Sequence, residues 1–356
     1  MEAKTLLERL TVISSVIPAK TLPVIIGSET TASKGGTVFA RNDEAMVRCA
    51  LPVNPGCSVE VDGNQLVSLL RKATKGSVYV QDTGVTVVDG DFRVVVPGRK
   101  PEDEPRMPEI TPGISFRLNA RDLLRVLTMV VCAAGRECHQ GTLNGVLLEA
   151  ERGSLFFVAS DAYRMHVARL HVDVPDFEAV IPREPAVGLL KALRPAADDE
   201  LPVRIDVSEE KLSLSWYGVE ILLTLIPGAY PPWNTVFPEG AKTAAVVERK
   251  AVLEVLKKFS PLMKKPGPLI TLKTRNGCVV LSLEIEERPI AEQPVPAAVT
   301  SCFEYTFKPH YLLDTFQHLQ EDRIAVICTG SFAPVSFRGT RQEEPEGVII
   351  MPVKRQ

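Results

Sequence analysis

Hydrophobic positions spaced three and four apart mark six helices along the chain. They fall at KTLLERLTVISSV from Lys4, NQLVSLLRKATK from Asn64, NARDLLRVLTMVVCAA from Asn119, EPAVGLLKALR from Glu184, KAVLEVLKKF from Lys250 and KPHYLLDTFQHLQ from Lys308. Between them the period changes to two. KGGTVFARNDEAMVRCALPV, ERGSLFFVASDAYRMHVARLHV and RNGCVVLSLEIEERPIAEQPVP each read as a glycine turn, a strand, a polar break and a second strand. The second helix of each pair is followed by strands that close on FRVVVPG, ILLTLIPG and VIIMPV.

The pattern of helix, strands, helix, strands therefore occurs three times, with a unit of about 120 residues. It predicts an α+β protein with largely antiparallel sheets, built as three tandem repeats over residues 1–112, 113–238 and 239–356. The joints are expected in the proline-rich, charged stretches GRKPEDEPRMPEITPG and FPEGAKT. The last strand raises its own question. Val348, Ile349, Ile350 and Met351 lie within nine residues of Gln356, and something must cover them.

Charge changes the picture more by its distribution than by its sum. The chain carries a formal net charge of −3, with 41 basic and 44 acidic residues. The six helical windows, with the fifth extended to residue 265, hold 15 basic and 5 acidic residues, leaving 26 and 39 elsewhere. Basic helices over acidic sheets point to a phosphate backbone as partner. In the second helix Leu66, Leu69, Leu70 and Ala73 form the apolar stripe, and Ser68, Arg71, Lys72 and Lys75 fall opposite. No helix-turn-helix, zinc finger or paired RNA-binding aromatics accompany them, so contact with nucleic acid is expected to be non-specific and salt-sensitive.

Other chemistry is thin. Seven cysteines at scattered positions read as reduced, buried thiols, and Cys132, Cys138 and His139 do not have zinc-knuckle spacing. GSETTASKGG lacks the glycine before Lys34 that a phosphate loop needs, and no other nucleotide, hydrolase or metalloprotease motif is present. No cofactor and no metal are expected. No run reaches the ~20 apolar residues of a membrane span. The amino-terminal MEAKTLLERL contains acids, unlike a targeting peptide, so the expectation is a cytoplasmic protein.

LNGVLLEAERGSLFFVASDAYRMHVARL, VIPREPAVGLLKAL, LLTLIPGAYPPWNTVFP and the terminal VIIMPVKRQ together resemble the β subunit of bacterial DNA polymerase III, the replicative sliding clamps. The resemblance runs the length of the chain in order and is strongest in the second repeat and at the carboxyl end. It implies a DNA clamp fold and a non-catalytic processivity factor: a homodimeric, head-to-tail ring that encloses double-stranded DNA. Replicative polymerase, clamp loader and repair proteins would dock on it through short linear motifs.

Position by position, it implies a peptide pocket walled by Ser160, Ala162, Tyr163, Arg164, Met165, Pro231, Thr235, Val236, Ile349, Met351, Pro352 and Val353. The helix-borne set facing DNA would be Lys20, Arg71, Lys72, Lys75, Arg121, Arg125, Lys191, Arg194, Lys250 and Lys257, and Val96 and Leu262 would mark the dimer interface. The sequence departs from the family where Ala162 replaces Gly, Tyr163 replaces His, Met165 replaces Leu and Pro232-Trp233 replaces Asp-Tyr. A plasmid- or phage-type clamp with narrowed partners is a close variant of this reading. An enzyme on a repeated α+β scaffold and a monomeric peptide-binding adaptor are the alternatives from other classes.

Overall fold

Each predicted helix forms, and so does each predicted pair of strands. A computed structural model describes residues 1–28, 35–73, 75–103, 106–237, 240–264, 267–330, 333–343 and 345–354. Within these, the first set of elements is α1 (Ala3–Val16), β1 (Pro23–Ser28), β2 (Gly36–Arg41), β3 (Ala45–Leu51), β4 (Val59–Asp62), α2 (Gly63–Leu70), β5 (Ser77–Gln81), β6 (Gly84–Asp89) and β7 (Phe92–Arg99). The second is β8 (Ile114–Asn119), α3 (Ala120–Val130), β9 (Gly145–Glu151), β10 (Ser154–Ser160), β11 (Arg164–His171), β12 (Phe177–Pro182), α4 (Arg183–Ala192), α5 (Arg194–Asp198), β13 (Pro202–Val207), β14 (Lys211–Trp216) and β15 (Val219–Thr224). The third is β16 (Lys242–Glu248), α6 (Arg249–Phe259), β17 (Leu269–Arg275), β18 (Cys278–Ile285), β19 (Arg288–Val299), β20 (Glu304–Phe307), α7 (Pro309–His318), β21 (Arg323–Cys328), β22 (Val335–Gly339) and β23 (Gly347–Ile350). Apart from the short α5, the element order of the second set recurs in the third, and in the first without its leading strand.

By their contacts these elements gather into two compact units, Met1–Leu127 with Asp173–Pro227 and Thr128–Val172 with Gly228–Gln356. The middle segment contributes to both. The first unit contains an antiparallel sheet in the order β5-β6-β7-β4-β1-β2-β3-β15-β14-β13-β8. Its helices α1 and α4 pack closely because position 188 is glycine: a Cβ there would stand 2.3 Å from the Ser15 carbonyl oxygen. Asp62 caps α2 by accepting from the backbone N–H of Asn64 and Gln65, which is why the acidic turn precedes that helix.

The second unit carries the ladder β9-β10-β11-β23-β22-β21-β16-β19-β18-β17-β20. Here the apolar carboxyl end finds its cover. β23 lies between β11 and β22, with Arg164, Met165 and His166 opposite Ile350, Ile349 and Val348, and Val335, Ser336 and Phe337 on its other side. Val348, Ile349 and Ile350 are buried.

Several details differ from expectation. Helix α2 ends at Leu70, so Arg71 is its cap and Lys72 and Lys75 lie beyond it. Pro195 starts a separate short helix, which puts Arg194 at the head of α5 rather than the tail of α4. Of the seven cysteines expected to be buried, Cys49 is, Cys57, Cys132, Cys138, Cys278 and Cys328 are half-buried, and Cys302 is exposed. Val96 is 0% exposed and belongs to the core, while its neighbour Val95 is 52% exposed. A side chain in the core cannot reach a partner, so Val96 is withdrawn as an interface contact. The expected phosphate-loop lookalike around Ser33 and Lys34, parts of both proline-rich joints, and Arg355 and Gln356 lie outside the described residues.

Candidate peptide-binding site

The turn between β10 and β11 builds one wall of a cavity in the second unit. Asp161 Oδ1 accepts from the N–H groups of Tyr163 and Arg164, each at 3.0 Å, and Ser160 Oγ donates to the Arg164 carbonyl at 2.7 Å. The turn closes through Ala162, whose φ of 71° is left-handed. That conformation favours glycine, the residue the family places there.

Arg164 fixes this wall from beneath. Its Nε donates to Asp161 Oδ2 at 3.1 Å, Nη1 to Asp314 Oδ2 at 2.5 Å and Nη2 to the Cys132 carbonyl at 2.6 Å. The guanidinium also lies 4.7 Å from the centre of the Tyr311 ring. Burial works against its charge, but the Asp314 and Asp161 carboxylates more than offset that and hold its pKa above the usual value. Beside it, burial pushes the Cys132 thiol up to about 12 and the His166 imidazole down to about 3, with the Arg164 charge adding to the fall at His166. Both side chains are therefore neutral at pH 7. His166 Nδ1–H donates to the Met129 carbonyl at 2.8 Å.

The opposite wall is the segment from Tyr230 to Val236. Trp233 anchors it, donating Nε1–H to Glu149 Oε2 at 2.6 Å and packing on Phe156 with ring centres 5.3 Å apart. Its indole is buried, so the Pro-Trp substitution fills the space behind the wall. The third side is the tail after β23. Met351 N–H donates to the Tyr163 carbonyl at 2.8 Å, and Val353 N–H donates to the Thr306 carbonyl at 2.8 Å, which fixes the chain beyond the last strand.

Together these walls enclose a cavity of about 220 Å³ lined by Gln140, Leu143, Ser160, Ala162, Tyr163, Arg164, Met165, Tyr230, Pro231, Pro232, Trp233, Val236, Ile349 and Met351. Its floor, Met165 and Ile349, is buried, whereas Tyr163, Val236 and Met351 are exposed at the rim. Lys308 Nζ stands 4.9 Å from the Tyr163 ring centre, so the rim is apolar with one cation against it.

Nine of the expected wall residues line the cavity, and Thr235, Pro352 and Val353 do not. Thr235 turns its hydroxyl to the Pro232 carbonyl at 2.7 Å and holds the loop instead. Val353 pairs with Thr306, away from the cavity. Gln140, Leu143, Tyr230, Pro232 and Trp233 were not anticipated. Leu143, Tyr230, Pro232 and Trp233 sit inside the motifs that carried the resemblance, but Gln140 precedes the 3-10 turn Gly141–Asn144 and has no periodic signal.

All ten basic residues expected to face DNA are exposed. Arg121 pairs with Glu200 at 2.5 Å, Arg125 approaches Asp122 at 3.8 Å and Lys250 approaches Asp322 at 4.0 Å. Such exposed pairs hold little energy and exchange readily for another anion. Leu262 is exposed in a 3-10 turn after α6.

The family model of the DNA polymerase III beta subunit central domain matches residues 117–232, and that of its C-terminal domain matches residues 234–354. The chain belongs to this family. Its members among the curated relatives are beta sliding clamps: that of Bacillus subtilis is 24% identical over 373 residues, covering 96% of this chain and 95% of that protein. The beta sliding clamp of Streptomyces coelicolor is 24% identical over 350 residues, covering 93% and 92%. The DNA polymerase III beta subunit of Thermotoga maritima superposes with a TM-score of 0.86 at 17% identity, covering 100% of this chain and 99% of that one. A sliding clamp from Pseudomonas aeruginosa bound to griselimycin superposes with a TM-score of 0.84 at 19% identity, covering 100% and 98%. The beta clamp assignment makes the chain a non-catalytic processivity factor of DNA replication. Among the described residues no helix is long and apolar enough to cross a membrane.

Proposed function

We propose that this clamp works as a homodimeric ring around duplex DNA. Polymerase, clamp loader and repair proteins would dock by short linear motifs in the cavity between the β10–β11 turn, the Tyr230–Val236 segment and the tail. The clamp domains would be residues 1–112, 113–238 and 239–356, a division supported by the threefold element order. The observation that carries the pocket is its layering: an apolar, buried floor beneath an exposed rim of Tyr163, Val236 and Met351. Large apolar side chains held open to water around a concavity are a binding surface. Methionine on both floor and rim lets the walls repack around different peptides.

The DNA contacts would be the ten exposed basic residues, each weak and exchangeable, so that the ring slides. A ring topologically linked to DNA keeps its polymerase at high effective concentration near the primer end without a tight contact to any one base pair.

The test is a fluorescence titration of a labelled peptide of the QLxLF type on the intact chain, on Met351→Ala and on a chain ending at Ile350. Saturable binding that weakens at least tenfold with Met351→Ala and vanishes with the truncation is expected. Equal affinity for all three proteins would remove the cavity as the docking site. Because β23 stays paired on both sides in the truncated chain, its unfolding transition should remain cooperative.

A further inference from the structure

The first unit holds a cavity of its own, of about 300 Å³, between its sheet and the start of the first proline-rich joint. One cross-strand row supplies the floor. Arg99 on β7 stands opposite Glu60 on β4, Glu60 opposite Ile25 on β1 and Ile25 opposite Phe39 on β2, so the four side chains share one face. Phe39 is buried and Ile25 half-buried. Arg41 at the end of β2, with Glu102, Asp103 and Arg106 of the joint, forms an exposed rim.

Four of these positions repeat those of the peptide cavity in the second unit. Arg41 opposes Met46 across the β2–β3 turn as Ser160 opposes Met165 across the β10–β11 turn. The two turns are built alike. Asn42 Oδ1 accepts from the N–H groups of Glu44 and Ala45 as Asp161 Oδ1 accepts from those of Tyr163 and Arg164. Counted from the Pro-Gly pairs at Pro97-Gly98 and Pro227-Gly228, Glu102, Asp103 and Arg106 stand where Pro232, Trp233 and Val236 stand. Ser160, Pro232, Trp233 and Val236 all line the peptide cavity. The repeat thus supplies a comparable concavity twice, with apolar walls in one unit and charged walls in the other.

The charges do not cancel at the rim. Arg99 donates to Glu60 Oε1 from Nε at 3.1 Å and from Nη2 at 2.7 Å, and the Glu102 charge acts on the same guanidinium. Arg41 and Arg106 have no hydrogen bond or ion pair among the described residues. With Glu60 and Glu102 engaged at Arg99, two arginines face Asp103, an excess of positive charge over an apolar floor. A cavity this small is at the lower limit for ligands, with room for one large side chain and a neighbouring carboxylate. A nucleic-acid strand would bring phosphate after phosphate against Glu60, Glu102 and Asp103. The site therefore suits a single anion on an apolar chain better than a polyanion.

We infer that this cavity is a second docking site, for an acidic linear peptide of a partner protein, whose large apolar side chain rests on Ile25 and Phe39 while Arg41 and Arg106 hold its carboxylate. Arginine suits this task because its planar fork matches a carboxylate in two parallel bonds. Walls of different chemistry let one chain select two partners that do not compete. The comparison between the cavities rests on the docking reading of the other one, and the two sites are tested apart.

The experiment pans a display library of random heptapeptides on the full chain, with an excess of free QLxLF-type peptide to fill the other cavity. Selected sequences should place Asp or Glu beside Phe, Leu or Met. Binding of a labelled selected peptide should fall at least tenfold in Arg41→Gln and in Arg106→Gln and should resist displacement by the QLxLF peptide. Both arginines are exposed and hold nothing in the chain, so the melting temperature should stay constant. Peptides without an acid, or equal affinity across the variants, overturn the site. Displacement by the QLxLF peptide returns the ligand to the other cavity and overturns it too, and displacement by a short DNA duplex gives the arginines to nucleic acid instead. If the QLxLF peptide itself does not bind, the docking reading of the other cavity fails, and the two arginine variants still decide this one.

Discussion

Arg164 on β11 donates Nη1–H to Asp314 on α7 at 2.5 Å, across 150 residues of sequence. The contact ties the pocket wall to a helix of the same unit, and Asp161 completes it from the turn itself. With the guanidinium only 7% exposed, its removal leaves two carboxylates near a desolvated site without their cation.

Arg164→Ala should therefore destabilise the second unit by about 3–5 kcal/mol, read from urea unfolding. Arg164→Lys should recover only part, because an ammonium cannot reach Asp161, Asp314 and the Cys132 carbonyl together. Adding Asp314→Ala to Arg164→Ala should relieve some of the loss. A cost below about 1 kcal/mol for Arg164→Ala would place the stability of the wall elsewhere.

Ala162 makes the opposite prediction. A non-glycine residue at φ 71° in an exposed turn is held there by the Asp161 and Ser160 bonds on either side. Ala162→Gly should raise stability by about 1 kcal/mol, since the left-handed strain exceeds the entropy that glycine adds to the unfolded chain. A fall in melting temperature would show that Ala162 is not strained.

How far the sequence disclosed this site depended on which signals are local. The helices and the three strand sets were legible from periodicity, and the covering of Val348, Ile349 and Ile350 was anticipated as a need before its partners were known. Parity was not legible in β7, because FRVVVPGR has three consecutive valines and no alternation to read. Val96 was placed at the interface only by position in the resemblance, and the fold turns it inward and its neighbour Val95 outward. Nor could the sequence pair Arg164 with Asp314 or Trp233 with Glu149, since each pair is joined only by the fold. Thr235 was placed on the cavity wall by position in the motif, but its hydroxyl serves the loop backbone instead.

His166 gives a pH dependence with a definite sign. Burial holds its folded-state pKa near 3, against about 6.5 for an unfolded histidine. Above 6.5 neither state binds the proton and the group has no effect. Between 6.5 and 3 the unfolded chain binds it and the folded chain does not, so stability falls with acidity by about 1.4 kcal/mol per pH unit from this residue. His166→Asn keeps a donor toward the Met129 carbonyl but does not titrate. Comparing urea midpoints of the two proteins from pH 7 to 4.5 should show the wild type losing stability more steeply, and parallel curves would mean that His166 is not buried and neutral.

The helix-borne cations predict a salt dependence. Arg71, Lys72 and Arg125 are exposed, and among the described residues Arg125 alone of the three has an acid near it, Asp122 at 3.8 Å. If they face DNA, replacing all three with glutamate removes up to three phosphate contacts and adds like charge. Each lost contact lowers the slope of log affinity against log salt by about 0.9, so the slope should drop by about 2 to 3. Binding to a linear duplex at low salt should weaken by at least tenfold. Peptide affinity should stay unchanged, because none of the three residues lines the cavity. An unaltered slope would remove these residues from the DNA-facing surface, and a parallel loss of peptide binding would show that the substitutions had disturbed the fold rather than a charge.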